Sequence, residues 1–373
     1  MAVKSKWTVV AAISALAIIG AACSGKGGAS TDGTASNGGG APFRGAALTG
    51  AGSTFAAPMY QLWSQSFLAV EPDAKINYQA IGSGGGIEQF TAKTVDFGAT
   101  DVPLQRDEIS ALPTQSYIQF PTCLGAVVFA YNVKGLQSGL KLDGPTIADI
   151  FLGKITTWND PAIAAQNPGV SLPDESIKVF HRADESGTTA VWTQWLSEES
   201  PEWASKVGAD KAVQWPIGSG GNGNDGVAAG ISQTEGGVGY LSYDFAVTAD
   251  LGIADIKAPD GSYVTPSIDS ISKAGGGLSF PIRPDTNILN SQTPGAYPVA
   301  STTYVLIYSD QTDRAKAQTL VDFWTWALTA GQQQTEQINY APLPSSFATS
   351  ALSELSKITV AGAPITPSSG IGG

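Results

Sequence analysis

The sequence is poor in the side chains on which most enzyme chemistry depends. Its 373 residues include one histidine, His181, and two cysteines, Cys23 and Cys123. That supply cannot furnish a His/Cys cluster for zinc, and a Ser-His-Asp hydrolase would have to be built on His181 alone. No G-x-S-x-G elbow is present, and GKIT at Gly153–Thr156 lacks the preceding glycine of a phosphate-cradling loop. Charge is sparse as well: 14% of residues against about 25% in ordinary soluble domains. This excludes a long coiled coil and a charged disordered tail, and the net charge of −12 opposes a broad footprint on nucleic acid. Past the N-terminal region, no stretch approaches the roughly 18 consecutive apolar residues of a spanning helix.

What is present begins with an address. Lys4 and Lys6 precede an apolar run, Val9–Ile19, and Gly20, Ala21 and Ala22 lead into Cys23. This is the layout of a signal peptide, with a run too short to span a bilayer. A cysteine directly after small residues resembles a bacterial lipobox, although Gly20 stands where leucine is more usual. The reading predicts removal of residues 1–22, lipid on Cys23, and a protein anchored to the outer face of the cell membrane; plain secretion with a chance cysteine is the alternative. Residues 23–44, rich in Gly, Ser and Thr, would form a flexible tether. Loss of residues 1–22 removes two lysines and no acid, taking the net charge from −12 to −14. Cys123, in PTCLGAVVF, then has no partner and reads as a small buried apolar residue.

The remainder alternates strand and helix signals. Ile76, Tyr78 and Ala80 alternate with polar residues, and strand-like runs recur at Gly125–Tyr131, Ile177–Phe180, Val238–Tyr243 and Val299–Tyr308. Tyr60, Trp63, Phe67 and Val70 share a helical face, with Pro58 near its start and Pro72 beyond its end; Leu320, Phe323, Trp324, Ala327 and Leu328 mark another, stopped by Gly331. The pattern predicts an α/β fold with helices flanking sheet. Most tryptophans are expected in the core, and the chain after Thr349 is expected to fray.

Chemistry is carried by turns of Gly, Ser and Thr placed before helices: Gly50–Pro58 (GAGSTFAAP), Ile81–Phe90 (IGSGGGIEQF) and His181–Thr189 (HRADESGTT). The first turn of a helix presents unpaired N–H groups at the positive end of its dipole, so each turn is a candidate anion site. One alone would be an ordinary cap; three, with Arg182 four residues before Ser186, point to an oxyanion, since a guanidinium can bond two oxygens at once. A fourth segment, Gly218–Gly223, spells G-x-G-x-x-G without a clear preceding strand and reads as a structural loop. His181 reads as a packing or surface residue, and Asp101, close before Pro103, as a helix cap or surface turn.

The chain also resembles the phosphate-binding proteins of bacterial phosphate ABC importers from about Leu48 to Leu343. The segments that carry the resemblance are TGAGSTFAAPMYQLW, INYQAIGSGGGIEQF, TVDFGATDVPL, LDGPTIADIFLGKITTWNDPAI, HRADESGTTAVW, WPIGSGGNGNDGVAA, GGVGYLSY and STTYVLIY. The resemblance implies a two-lobed periplasmic-binding-protein fold of type II, with ligand in the interlobe cleft. Lobe I would be residues 45–120 and 295–373, and lobe II residues 121–294. The implied phosphate ligands are Thr54 (hydroxyl and backbone), Phe55 (backbone N–H), Ser83, Asp101, Arg182, Ser186, Gly187 (N–H) and Thr188. Asp184 would hold the Arg182 guanidinium. The implied partners are inorganic phosphate and the importer's membrane permease subunits. No cofactor, metal or nucleic acid is implied, and a monomer is expected. Thr100 and Glu185 depart from the family's usual neighbours, and Glu185 brings a negative charge close to the expected anion.

Under that resemblance Asp101 becomes informative. A carboxylate beside an anion repels it unless the anion carries a proton the carboxylate can accept. Phosphate near neutral pH keeps at least one proton and sulfate keeps none, so an aspartate there admits the first and rejects the second. The rival readings are a binding protein for another oxyanion, a phosphohydrolase with Ser186 or Thr54 as nucleophile, and a surface sensor that has lost the ligand.

Overall fold

A computed structural model describes residues 45–372; the signal peptide, the tether, Cys23 and Trp7 lie outside the described residues. The chain opens with strand β1 (Ala47–Gly52), helix α1 (Ala57–Phe67), β2 (Lys75–Ala80), α2 (Ser83–Thr91), β3 (Phe97–Thr100) and the short helix α3 (Arg106–Ala111). A 16-residue strand, β4 (Tyr117–Asn132), follows. Then come β5 (Lys141–Leu142), α4 (Gly144–Phe151), α5 (Pro161–Gln166), β6 (Lys178–Arg182), α6 (Gly187–Glu199) and α7 (Pro201–Lys206). After them are β7 (Ser219–Gly221), α8 (Gly223–Ser232), β8 (Gly237–Ser242), α9 (Tyr243–Thr248), β9 (Gly252–Ile253), β10 (Asp255–Lys257), β11 (Tyr263–Val264) and α10 (Ile268–Gly275). The last elements are β12 (Ala300–Tyr308), β13 (Asp310–Gln311), α11 (Arg314–Leu328), α12 (Ser345–Leu355), β14 (Thr359–Val360) and β15 (Ala363–Pro364).

The main sheet runs β2-β1-β3-β12-β4-β8-β6-β7, with β9 also on β4. Its organising element is β4, which changes partner along its length. Residues Tyr117–Ala126 pair antiparallel with β12, and Val127–Asn132 pair antiparallel with β8. On one side of the change lie the parallel strands β2, β1 and β3; on the other lie β6 and β7, parallel to each other and to β8. The chain returns close to the same point, where Val127 N–H donates to the Val299 carbonyl at 2.9 Å, one residue before β12 begins. Two half-sheets therefore meet along β4, each with βα turns at its strand ends.

The apolar residues fill the interior as the patterns require. Every residue of β12 is buried, and β4 is buried from Phe120 to Tyr131, whereas the edge strand β2 is half-buried on one face only. Trp324 packs with its ring centroid 5.3 Å from Tyr60 and Phe97, and Trp63, Trp158, Trp192, Trp195 and Trp203 are also fully buried. Cys123 is buried and unpaired.

Two expectations need correction. The chain after Thr349 does not fray: α12 continues to Leu355, and Leu355, Ile358 and Ile365 are buried against the core. Apolar residues spaced among Ser and Pro give little periodic signal, yet each finds a core position. The Gly218–Gly223 segment is not only loop, since Ser219–Gly221 forms β7 beside β6 and Gly223 opens α8.

Candidate functional site

The three Gly/Ser/Thr turns converge where the half-sheets meet. The first connects β1 to α1. Gly52 leaves β1 with φ of 140°, and Ser53 and Thr54 follow. The second lies at the head of α2, which begins at Ser83 after Gly82, with φ of 88°. The third follows β6, where Ser186 caps α6 by accepting the Thr189 N–H at 3.1 Å. The cap leaves the N–H groups of Gly187 and Thr188, at the first two helical positions, without a carbonyl in their own helix.

These turns touch across the cleft. Gly84 N–H donates to the Glu185 carbonyl of the opposite half at 2.9 Å, while within its own half the Ser83 hydroxyl accepts the Asp101 N–H at 3.2 Å. Gly187 stands so close to the opposite half that an added Cβ would lie 2.3 Å from Ser83 Oγ and 2.7 Å from Asp101 Cβ. Glycine is required there by space, not by φ. Glu185 lays its side chain over Gly84, the neighbour of Ser83, where an added Cβ would meet the carboxylate at 2.2 Å.

Asp101 is 3% exposed, at the end of β3. Its Oδ1 accepts from the hydroxyls of Ser53 and Thr303, the latter at 2.7 Å. Burial raises its carboxyl pKa, and these two hydroxyls, Arg182 and the Thr188 hydroxyl draw it only part of the way back. Arg182 is also 3% exposed. Its Nε donates to Asp184 Oδ1 at 2.8 Å, a second nitrogen reaches Asp184 Oδ2, and Nη1 donates to Thr188 Oγ1 at 3.2 Å. Asp184 also accepts the Gly223 N–H at 3.0 Å. Burial works to raise the Asp184 pKa, but the guanidinium and the Gly223 N–H together outweigh it and the carboxyl stays below its ordinary value. The fork is thereby fixed in one orientation.

Thr54 is 5% exposed and its Oγ1 accepts from Asn224 Nδ2 at 2.9 Å. The Phe55 ring is buried beside Gly125, and its carbonyl accepts from the Tyr340 hydroxyl. All eight expected ligands thus occupy one buried neighbourhood, with Asp184 half-buried at its edge. With Arg182 matched by Asp184, its formal charge is that of Asp101, so it can hold an anion only through oriented donors and a shared proton. A cavity of about 790 Å³ adjoins it, with Asp101, Glu108, Lys211 and Arg283 in its wall. There Lys211 Nζ pairs with Glu108 across the cleft at 2.6 Å.

Several participants were not read from the sequence. Ser53 and Thr303 hold Asp101 from β1's end and from β12, far apart along the chain. Asn224 follows the glycine-rich segment Gly218–Gly223, and its polar amide at the head of a helix is the one local signal of a role. Tyr240 contributes its hydroxyl to the Arg182 N–H at 3.0 Å. His181 stacks on Trp215, with ring centroids 4.9 Å apart, and its Nδ1 lies 2.9 Å from the Arg182 carbonyl.

Residues 24–330 match the family model of a PBP superfamily domain. The phosphate-binding protein PstS of Xylella fastidiosa strain Temecula1 is 40% identical over 295 residues, covering 78% of this chain and 80% of that one. PstS of Pasteurella multocida is 39% identical over 295 residues, covering 78% and 85%. Among solved structures, a phosphate-binding protein from Stenotrophomonas maltophilia superposes with a TM-score of 0.62 at 18% identity, covering 83% of this chain and 93% of that one. The shared architecture is the two-lobed α/β fold of type II binding proteins, and the chain belongs to the PstS phosphate-binding family within the PBP superfamily.

Proposed function

We propose that this protein captures inorganic phosphate between its two lobes and delivers it to the membrane permease subunits of a phosphate ABC importer. Thr54, Phe55, Ser83, Asp101, Arg182, Ser186, Gly187 and Thr188 are the proposed ligands, with Asp184 holding Arg182. The observation that carries the reading is Asp101: a buried carboxylate placed among oxyanion donors, with its pKa raised. An anion with no proton would meet an unrelieved negative charge. Phosphate brings one, and either partner can hold it while the other accepts.

The proposed division into lobes, 45–120 with 295–373 and 121–294, draws on a crossing within β4, whose partner changes from β12 to β8 between Ala126 and Val127, six residues past the proposed boundary. The proposed anchor is lipid on Cys23, exposed by removal of residues 1–22, with residues 23–44 as tether and the folded body a monomer outside the membrane. Binding is favoured over hydrolysis because Ser186 is engaged as a helix cap and Thr54 accepts from Asn224. Among the described residues, no hydrogen bond joins His181 to either hydroxyl.

The test is calorimetric titration of the mature body with phosphate in excess sulfate, after unfolding and refolding to strip bound ligand. One-to-one binding indifferent to sulfate is expected. Asp101→Ala or Arg182→Ala should weaken it by about 2–5 kcal/mol, more than tenfold in Kd, because a buried partner is left unpaired. No heat with phosphate would overturn the reading.

A further inference from the structure

Asn224 is fully buried near the start of α8, and its amide works in two directions. Its Oδ1 accepts the backbone N–H of Ser242, the last residue of β8, at 2.9 Å. Its Nδ2 lies 2.9 Å from Thr54 Oγ1, at the turn between β1 and α1. A backbone N–H can only donate, so the amide end facing Ser242 must be the oxygen and the end facing Thr54 must be the NH2. Ser242 is itself pinned, since its hydroxyl donates to the buried Asp244. The orientation of the amide is therefore set by the backbone of β8.

This has a consequence for Thr54. A hydroxyl has one hydrogen and two lone pairs, and an NH2 group cannot accept. With Asn224 donating into one lone pair, the Thr54 hydrogen cannot turn toward Asn224 and is left to donate into the cleft. We propose that Asn224 is a positioning residue that fixes Thr54 as a donor to the bound anion. Because Thr54 and Asn224 sit on opposite half-sheets, the arrangement exists only while the two halves are together, so donor orientation and closure are coupled. The proposal rests on the phosphate reading above.

A double-mutant cycle tests it, with phosphate Kd measured by calorimetry on the refolded mature body of wild type, Asn224→Ala, Thr54→Val and the double variant. Asn224→Ala should weaken binding about tenfold in the wild-type background and less than about twofold when Thr54 is already valine, because its effect passes through the Thr54 hydroxyl. Equal losses in both backgrounds, or no loss in either, overturn the proposal. If Asn224→Ala does not fold, Asn224→Asp enters the same cycle. It keeps an acceptor for Ser242 but turns an acceptor toward Thr54, and the direct effect of its charge on the anion cancels between backgrounds. A coupling of at least about fivefold is then expected, and additivity overturns the proposal. Failure of the wild-type protein to bind phosphate is a different result and refutes the functional reading instead.

Discussion

Gly187 shows how much one residue can decide. It has no left-handed φ to justify it, yet an added Cβ would lie within 2.3–2.7 Å of Ser83 Oγ and of Asp101 Cβ and Oδ2. None of these is the loose end of a long side chain, so Gly187→Ala must push the two turns apart. Each half-sheet keeps its own packing, so the cost falls on closure. The expected outcome is phosphate binding weakened by more than tenfold with a melting temperature within a few degrees of wild type, read by calorimetric titration and thermal denaturation. The turns around Gly187 were legible in the sequence because hydroxyls, glycines and Arg182 cluster there within a few residues. The restraints on Asp101 were not, since Ser53 and Thr303 approach it only through the adjacency of β1, β3 and β12.

At the scale of elements, strands with long apolar runs and helices with one apolar face could be read directly, because period and burial coincide. The C-terminal segment could not. Its few apolar residues are separated by Ser, Thr and Pro, and its place was settled by partners distant in sequence. β14 pairs with β13, and Ile358 is fully buried beyond the end of α12. Ile358→Ala should therefore destabilise the protein by about 2–5 kcal/mol, the usual cost of deleting most of a buried aliphatic side chain. Chemical denaturation measures it, and a frayed tail would give no change.

Two buried carboxylates set a property of the whole molecule. Burial raises the pKa of Asp101, and it pushes Asp244 up to about 7 despite the hydrogen bond from the Ser242 hydroxyl. Half-burial also raises Glu198 and Glu199. A carboxyl whose folded pKa exceeds its unfolded value of about 4 binds its proton more tightly in the folded state. The stability it contributes is complete at low pH and is lost as pH rises through the folded pKa. Asp184 has the opposite sign, but its effect is confined to pH values below the ordinary carboxylate range. The ligand-free protein should therefore melt at a higher temperature near pH 5 than near pH 8. Asp244→Asn should flatten that dependence, which separates the buried carboxyl from the relief of self-repulsion in a chain of net charge −12. Differential scanning calorimetry across that range, on wild type and variant, decides the matter.

What depends on neighbours along the chain was legible before folding: strand and helix periods, the three donor turns and the short charge supply, with the pairing of Arg182 and Asp184 implied by the family resemblance. The sequence also carried that resemblance. Only the tertiary structure decided which hydroxyls restrain Asp101, that Gly187 must lack a side chain, that the last residues pack, and that Asn224 faces Thr54. Each of these is a contact between residues far apart in the chain, made when β12 inserts between β3 and β4 and the half-sheets meet along β4. No local pattern encodes such a contact, because the strand order that creates it is a property of the folded whole.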